Sequence, residues 1–214
     1  MRTITFVTQK GGAGKTTLAA SIAVAAAASG EKVVALDLDP QGSLWAWGES
    51  RAADEPAVDR LTAAQLAKLP AILASLEREG FTLAILDTAG VESTGGNLAM
   101  REAALCLIPA RPTKLDIQAT KPTVEALMRM EMRDRFAFVL NQCPPGRNSR
   151  STEAAQGLSM LGVLATPTMT QRADHQDALA SGLGVTEYAP DGKAADEVRA
   201  LWQWIDRKTK GVPA

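Results

Sequence analysis

Short runs of apolar residues alternate along this chain with longer stretches in which apolar positions recur every three or four residues. The runs fall at about Thr3–Thr8, Val33–Leu38, Leu83–Leu86, Leu105–Ile108, Phe136–Leu140 and Leu161–Ala165. Their length and their Val, Ile and Leu content predict strands buried on both faces. The longer patterns predict helices at Gly14–Ser29, stopped by Gly30, at Leu61–Glu79 and at Asp116–Met132, with a last one at Ala194–Lys208. Pro70 should break the second of these, since its ring disfavours helical backbone at Leu69, and Pro122 is a candidate kink in the third. Strands alternating with helices predict βα units. The expected fold is therefore α/β, a three-layer, mostly parallel twisted sheet with helices on both faces. Glu49–Asp59 and Pro144–Ser151 read as surface loops within one domain spanning residues 1–214, and neither a repeat nor a low-complexity linker divides it.

Composition narrows the picture. Of the 214 residues 46% are hydrophobic but only 4% aromatic, so Ala, Leu and Val must supply the packing. The Ala-rich run from Ile22 to Ser29 suits a buried helix. A net charge of -1 excludes a chain that is basic throughout, so any nucleic-acid contact must come from a local, salt-sensitive patch. Cys106 and Cys143 lie far apart without CxxC spacing, as expected of reduced packing residues in a cytosolic protein. The chain opens directly into a strand pattern, so no signal peptide is expected. No apolar run approaches the ~20 residues that span a bilayer.

The sharpest chemistry is Lys10-Gly11-Gly12-Ala13-Gly14-Lys15-Thr16-Thr17, directly after an apolar strand and opening a helix. Glycines let consecutive backbone N–H groups turn toward phosphate oxygens without a Cβ clash, and a helix N-terminus adds its positive dipole end. Lys15 places a charge on the β- and γ-phosphates, and the Thr16 hydroxyl suits the shell of Mg²⁺. One departure stands out: the general GxxxxGK[ST] pattern wants glycine where Gln9 stands, and a second lysine, Lys10, follows it.

These residues, with the Asp37-Leu38-Asp39-Pro40-Gln41-Gly42-Ser43 stretch, resemble the ParA/MinD family of deviant-Walker P-loop ATPases, over nearly the whole chain. In that family two subunits face each other across two ATP molecules, and the first lysine is the signature residue that reaches the partner's phosphates. The resemblance therefore implies ATP and Mg²⁺ as cofactors, slow Mg-dependent hydrolysis, and catalytic roles for Lys10, Lys15 and Asp39. Residues Lys10, Gly11, Gly12, Ala13, Gly14, Lys15, Thr16 and Thr17 would form the phosphate site.

The carboxylates follow the same logic. Asp37 and Asp39 are two apart on a strand, so both can aim at one pocket. By similarity, Asp39 orients the attacking water, while Asp37 supports metal and loop; on its own, Asp39 could equally cap a turn before Pro40. Leu83–Asp87 is a hydrophobic strand ending in an acid, where open parallel sheets bind ligands. Asp87, with Thr16 and Asp37, is the expected metal set, and Gly90 would let the next loop respond to the γ-phosphate. Asn141 ends another strand; an amide can pair with adenine, and the family uses an asparagine there, although a cap role is the alternative.

Ile108-Pro109-Ala110-Arg111-Pro112-Thr113-Lys114-Leu115-Asp116, Thr170-Gln171-Arg172 and the start of the last helix at Gly192 are most similar to the small, ParF-like partition ATPases. The implied role is an ATP-bound homodimer that binds DNA non-specifically and lets go when a ParB-like or other cargo adaptor stimulates hydrolysis. Such a protein would be cytoplasmic and associated with the nucleoid, and it would lack the DNA-reading extension of larger relatives. Arg172, Arg199, Arg207 and Lys208 are the expected DNA contacts, with Lys210, Arg147 and Arg150 as further candidates. Two rivals remain. Val198, Leu201, Trp202 and Ile205 form an apolar stripe that would serve a MinD-like membrane switch. An ATP-dependent metabolic or iron–sulfur enzyme could use the same scaffold, but neither cysteine suits a shared cluster. His175, the single histidine, reads as a helix-surface residue, and Trp45 and Trp47 as packing.

Overall fold

In the computed structural model, which describes residues 1–89, 94–146 and 148–211, six parallel strands form one sheet. The strands are β1 (Arg2–Phe6), β2 (Val33–Asp37), β3 (Ala57–Arg60), β4 (Leu83–Asp87), β5 (Leu105–Ala110) and β6 (Phe136–Leu140), in the order β3-β2-β4-β1-β5-β6. All residues of β2, β4, β5 and β6 are buried, as continuous apolar runs require when helices cover both faces. Gly90 and Arg147 fall outside the described residues.

The helices are α1 (Lys15–Ala28), α2 (Ser43–Glu49), α3 (Ala63–Leu66), α4 (Leu69–Arg78), α5 (Thr94–Glu102), α6 (Lys114–Gln118), α7 (Lys121–Arg129), α8 (Ser149–Ser159), α9 (Asp174–Ala180), α10 (Val185–Tyr188) and α11 (Lys193–Thr209). α1 is buried from Leu18 to Ala26, and its small side chains allow close approach: a Cβ on Gly184 would lie 2.7 Å from Val24. α11 packs its stripe into the same core, where Val198, Leu201 and Ile205 are fully buried and the Trp202 indole N–H donates to Ser29 Oγ at 2.8 Å. The stripe that a membrane reading would need is thus spent on the protein's own core. Among the described residues no helix is long and apolar enough to cross a membrane.

Three expectations are corrected. Residues 57–59, the end of the expected Glu49–Asp59 loop, belong with Arg60 to the edge strand β3; it pairs with β2 alone and is only partly covered, Val58 packing on one core and Ala57 on the other, which leaves room for Asp59 and Arg60. Leu161–Ala165 is not a strand of the sheet. It runs beside β6 through a single bridge from Phe138 to Leu164, with Gly162 lodged against the Phe136 ring and Pro167 soon after. The Asp116–Met132 pattern is divided outright rather than kinked, α6 ending before α7, while the break expected near Pro70 is found between α3 and α4; Pro70 and Pro122 lie in the first turns of α4 and α7. A proline tolerates a helix start far better than an interior.

Candidate nucleotide-binding site

Register brings the chemistry together. In the pairing of β2 with β4, Asp37 stands opposite Asp87, and in that of β1 with β4, Phe6 stands opposite Asp87. The strand that feeds the phosphate loop and the two that end in carboxylates therefore finish side by side. Residues 9–14 then turn through Gly12 (φ 75°) and Gly14 (φ 89°) into α1, which begins at Lys15. Both glycines adopt a left-handed backbone that side-chain-bearing residues avoid.

Asp87 is 1% exposed and accepts a 2.5 Å hydrogen bond from the Thr16 hydroxyl on one oxygen, while its other oxygen is buried without a partner. Burial raises its pKa to about 7, against the Thr16 bond and Lys15 but with the Asp37 charge adding to it. A buried carboxylate with an unused oxygen beside a hydroxyl on the first helical turn is the donor set a hard cation takes. Asp37 is used differently. Its Oδ1 accepts the Asp39 N–H and its Oδ2 the Trp45 N–H, each at 2.9 Å. It thereby fixes the loop between β2 and α2 with both its oxygens, whereas Asp87 keeps one oxygen without a partner. Asp39 lies partly exposed on that loop, with the Gln41 N–H donating to its Oδ1 at 2.9 Å, so the turn-capping role is real and compatible with reaching water.

Lys10 is paired outside its own loop. Its Nζ lies 2.9 Å from Asp116 at the start of α6, a carboxylate only 2% exposed. Arg111 Nε donates to the same group at 3.0 Å, and the Thr113 hydroxyl donates to it as well. Burial pushes the Asp116 carboxyl up, but the bonds from Thr113, Lys10 and Arg111 prevail and hold it below the usual carboxylate range. Asp116 closes the matched 108–116 stretch, but its sequence neighbours give no sign that it is buried; its partners Lys10, Arg111 and Thr113 show that only in the folded chain.

A cavity of about 90 Å³ opens beside the phosphate loop, lined by Gly14, Thr17, Asn141, Arg172 and His175. The Asn141 amide donates to Ala13 O at 2.8 Å. Arg172 pairs with Glu197 at 2.7 Å, which also accepts from the Thr170 N–H and hydroxyl. Arg172 thus lines the cavity beside the phosphate loop and is tied to α11 through Glu197. Arg199 pairs with Asp196, while Arg207 is exposed on the last turn of α11 beside partly covered Lys208. His175, on α9, is partly buried, and burial lowers its pKa. Cys106 and Cys143 are both buried with raised pKa values, Cys106 to about 12 through desolvation. Among the described residues, no cluster of three or more His, Cys, Asp or Glu side chains could hold a metal ion.

Loop, helix and strand tips together make this a nucleotide-binding protein of the P-loop class. Comparison with known proteins sharpens that class. The family model described as VirC1 protein matches residues 1–186. Protein virC1 of Rhizobium radiobacter is 31% identical over 175 residues, 78% of this chain and 76% of its own. Maintenance of carboxysome distribution protein A of Gloeobacter kilaueensis is 30% identical over 212 residues, covering 95% and 92%. The septum site-determining protein MinD of Pyrococcus horikoshii, solved with Mg-ADP, superposes with a TM-score of 0.77 over 96% of each chain at 19% identity, a likeness of fold. The chain belongs to the VirC1 family, and with it to the ParA/MinD ATPases of partitioning and positioning.

Proposed function

We propose that the chain is an ATP-dependent dimerisation switch that holds DNA in its ATP-bound dimer and releases it on hydrolysis stimulated by a cargo adaptor. The observation that supports this reading is the different placement of two lysines. Lys15 opens α1 after the phosphate loop, whereas Lys10 is held 2.9 Å from Asp116 at the start of α6. A lysine parked outside its own loop suits delivery to a second subunit's phosphates, and the bonds from Arg111 and Thr113 keep Asp116 satisfied when Lys10 leaves.

Within each subunit the loop N–H groups and Lys15 would bind the triphosphate, and Asp39 would orient a water in line with its terminal phosphoryl. Thr16 and Asp87 fit magnesium, with Asp37 holding the adjacent loop; bound there, the ion would neutralise phosphate charge and polarise the transferred group. Asn141, beside the cavity, suits the base. Loss of the terminal phosphoryl removes what Lys10 holds, and the pair separates. DNA contact would come from Arg199, Arg207 and Lys208 on α11, a patch too small in one subunit and doubled in two. A carboxysome-distribution relative at 30% identity makes a protein assembly as fitting a cargo as a plasmid.

The test is a DNA-binding titration with magnesium and ADP, ATP or a slowly hydrolysed ATP analogue, with particle mass measured in the same samples. Dimers and DNA retention should appear with ATP and the analogue only, and Asp39→Ala should prolong both. A chain that stays monomeric when saturated with the analogue overturns the proposal.

A further inference from the structure

The structure assigns a role to Gln142 that the nucleotide site does not otherwise explain. β6 ends at Leu140, and two amide residues follow. Successive side chains on an extended strand point to opposite faces, so Asn141 and Gln142 should diverge. They do not, because Gln142 adopts φ 54°, a left-handed backbone that a non-glycine residue takes at a cost. The turn brings both amides onto the phosphate loop: Asn141 Nδ2 donates to Ala13 O at 2.8 Å and Gln142 Nε2 donates to Gly12 O at 2.9 Å.

The consequence follows from the geometry of the peptide bond. In a trans peptide the C=O and N–H of one unit point in opposite directions. The Gly12 carbonyl shares its plane with the Ala13 N–H, and the Ala13 carbonyl shares its plane with the Gly14 N–H. Drawing both carbonyls toward β6 aims both N–H groups away from it, into the concavity where a phosphate oxygen would sit. The fit is tight: a Cβ on Gly14 would lie 2.4 Å from Asn141 Nδ2.

We infer that Gln142 is a positioning residue, a side-chain clamp that with Asn141 orients two loop N–H donors before nucleotide arrives. Preorganised donors cost no reorientation on binding, so the clamp acts on phosphate affinity without touching phosphate. Asn141 spends only one amide hydrogen on the loop, which is compatible with its also meeting the base.

The experiment compares the full chain with Gln142→Met, which removes the donor at similar length, and Gln142→Gly, which also removes the backbone cost. Three readouts are taken: amide hydrogen exchange over residues 11–15 without nucleotide, Mg·ATP affinity by calorimetry, and Tm. Both variants should exchange faster in the loop and bind Mg·ATP about fivefold to tenfold more weakly, the worth of one hydrogen bond. Gln142→Gly should melt at or above the parent, because glycine accepts the left-handed backbone. Unchanged loop exchange in both variants overturns the inference, as does a Gln142→Gly chain whose Tm falls together with its affinity. The affinity arm rests on the nucleotide-binding reading and the exchange arm does not. A parent that ignores Mg·ATP while its loop still loosens in the variants would sink that reading alone.

Discussion

At the scale of single residues, Asp87 carries the most consequence. A carboxyl with a pKa of about 7 in the folded chain, against an ordinary 3.8, binds more protons folded than unfolded between those values. Stability of the nucleotide-free protein should therefore fall as pH rises from about 4 to 7 and be flat above, the ionised group having lost its hydration without gaining a full set of partners. Asp87→Asn removes the ionisation. It should stabilise the chain at pH 8 by up to about 4 kcal/mol, the worth of such a shift, and change it little at pH 4. Urea unfolding at the two pH values checks this, and equal stabilisation at both would mean that the carboxyl stays ionised throughout. Asp116 shows the opposite solution. It too is closed to solvent, but it lies nearer the surface and is surrounded by Lys10, Arg111 and Thr113, so its charge is stabilised rather than penalised.

At the scale of elements, α11 decides between two readings of one amphipathic pattern. A helix whose apolar stripe is covered by its own domain has no face left for a lipid surface. Leu201 is fully buried among α1 and its neighbours, so Leu201→Ala should cost about 2–4 kcal/mol through reduced burial and the cavity left behind. The urea midpoint measures it; a stripe waiting for membrane would lose almost nothing. Gly14, Gly30 and Pro70 marked helix ends visibly in the sequence because their backbone chemistry is local. β3 was not visible, since a four-residue edge strand with Asp59 and Arg60 in it owes its pairing to β2 and its partial cover to α2.

At the scale of the molecule, the basic residues separate. Arg172 lines the cavity beside the phosphate loop and pairs with Glu197, whereas Lys208 lies eleven residues beyond Glu197 along α11, about 16 Å at 1.5 Å per residue. Near Lys208 the helix reaches the start of β1, where Arg2 pairs with Asp206 at 2.7 Å. Arg207 and Lys208 therefore belong to the end of the sheet remote from the phosphate loop. If they hold DNA, the double substitution Arg207→Glu/Lys208→Glu should leave ATP-dependent dimerisation intact. It should lower the slope of log affinity against log salt by about 2 to 4, since each dimer would neutralise up to about four fewer phosphates. Anisotropy titrations across a salt series give the slope, and an unaltered one places the DNA surface elsewhere.

The sequence by itself determined the layers of the fold, the phosphate loop and the family, because each rests on local periodicity or on backbone chemistry that a few adjacent residues dictate. Asp87 at a strand tip and Lys15 at a helix start were legible for the same reason. Only the tertiary structure decided what long-range neighbours impose: Asp116 as the partner of Lys10 from 106 positions away, Arg172 turned to Glu197, Asp37 given over to backbone amides, and Gln142 bent onto Gly12. Burial and hydrogen-bond partners are properties of the packed chain, and no spacing along it encodes them.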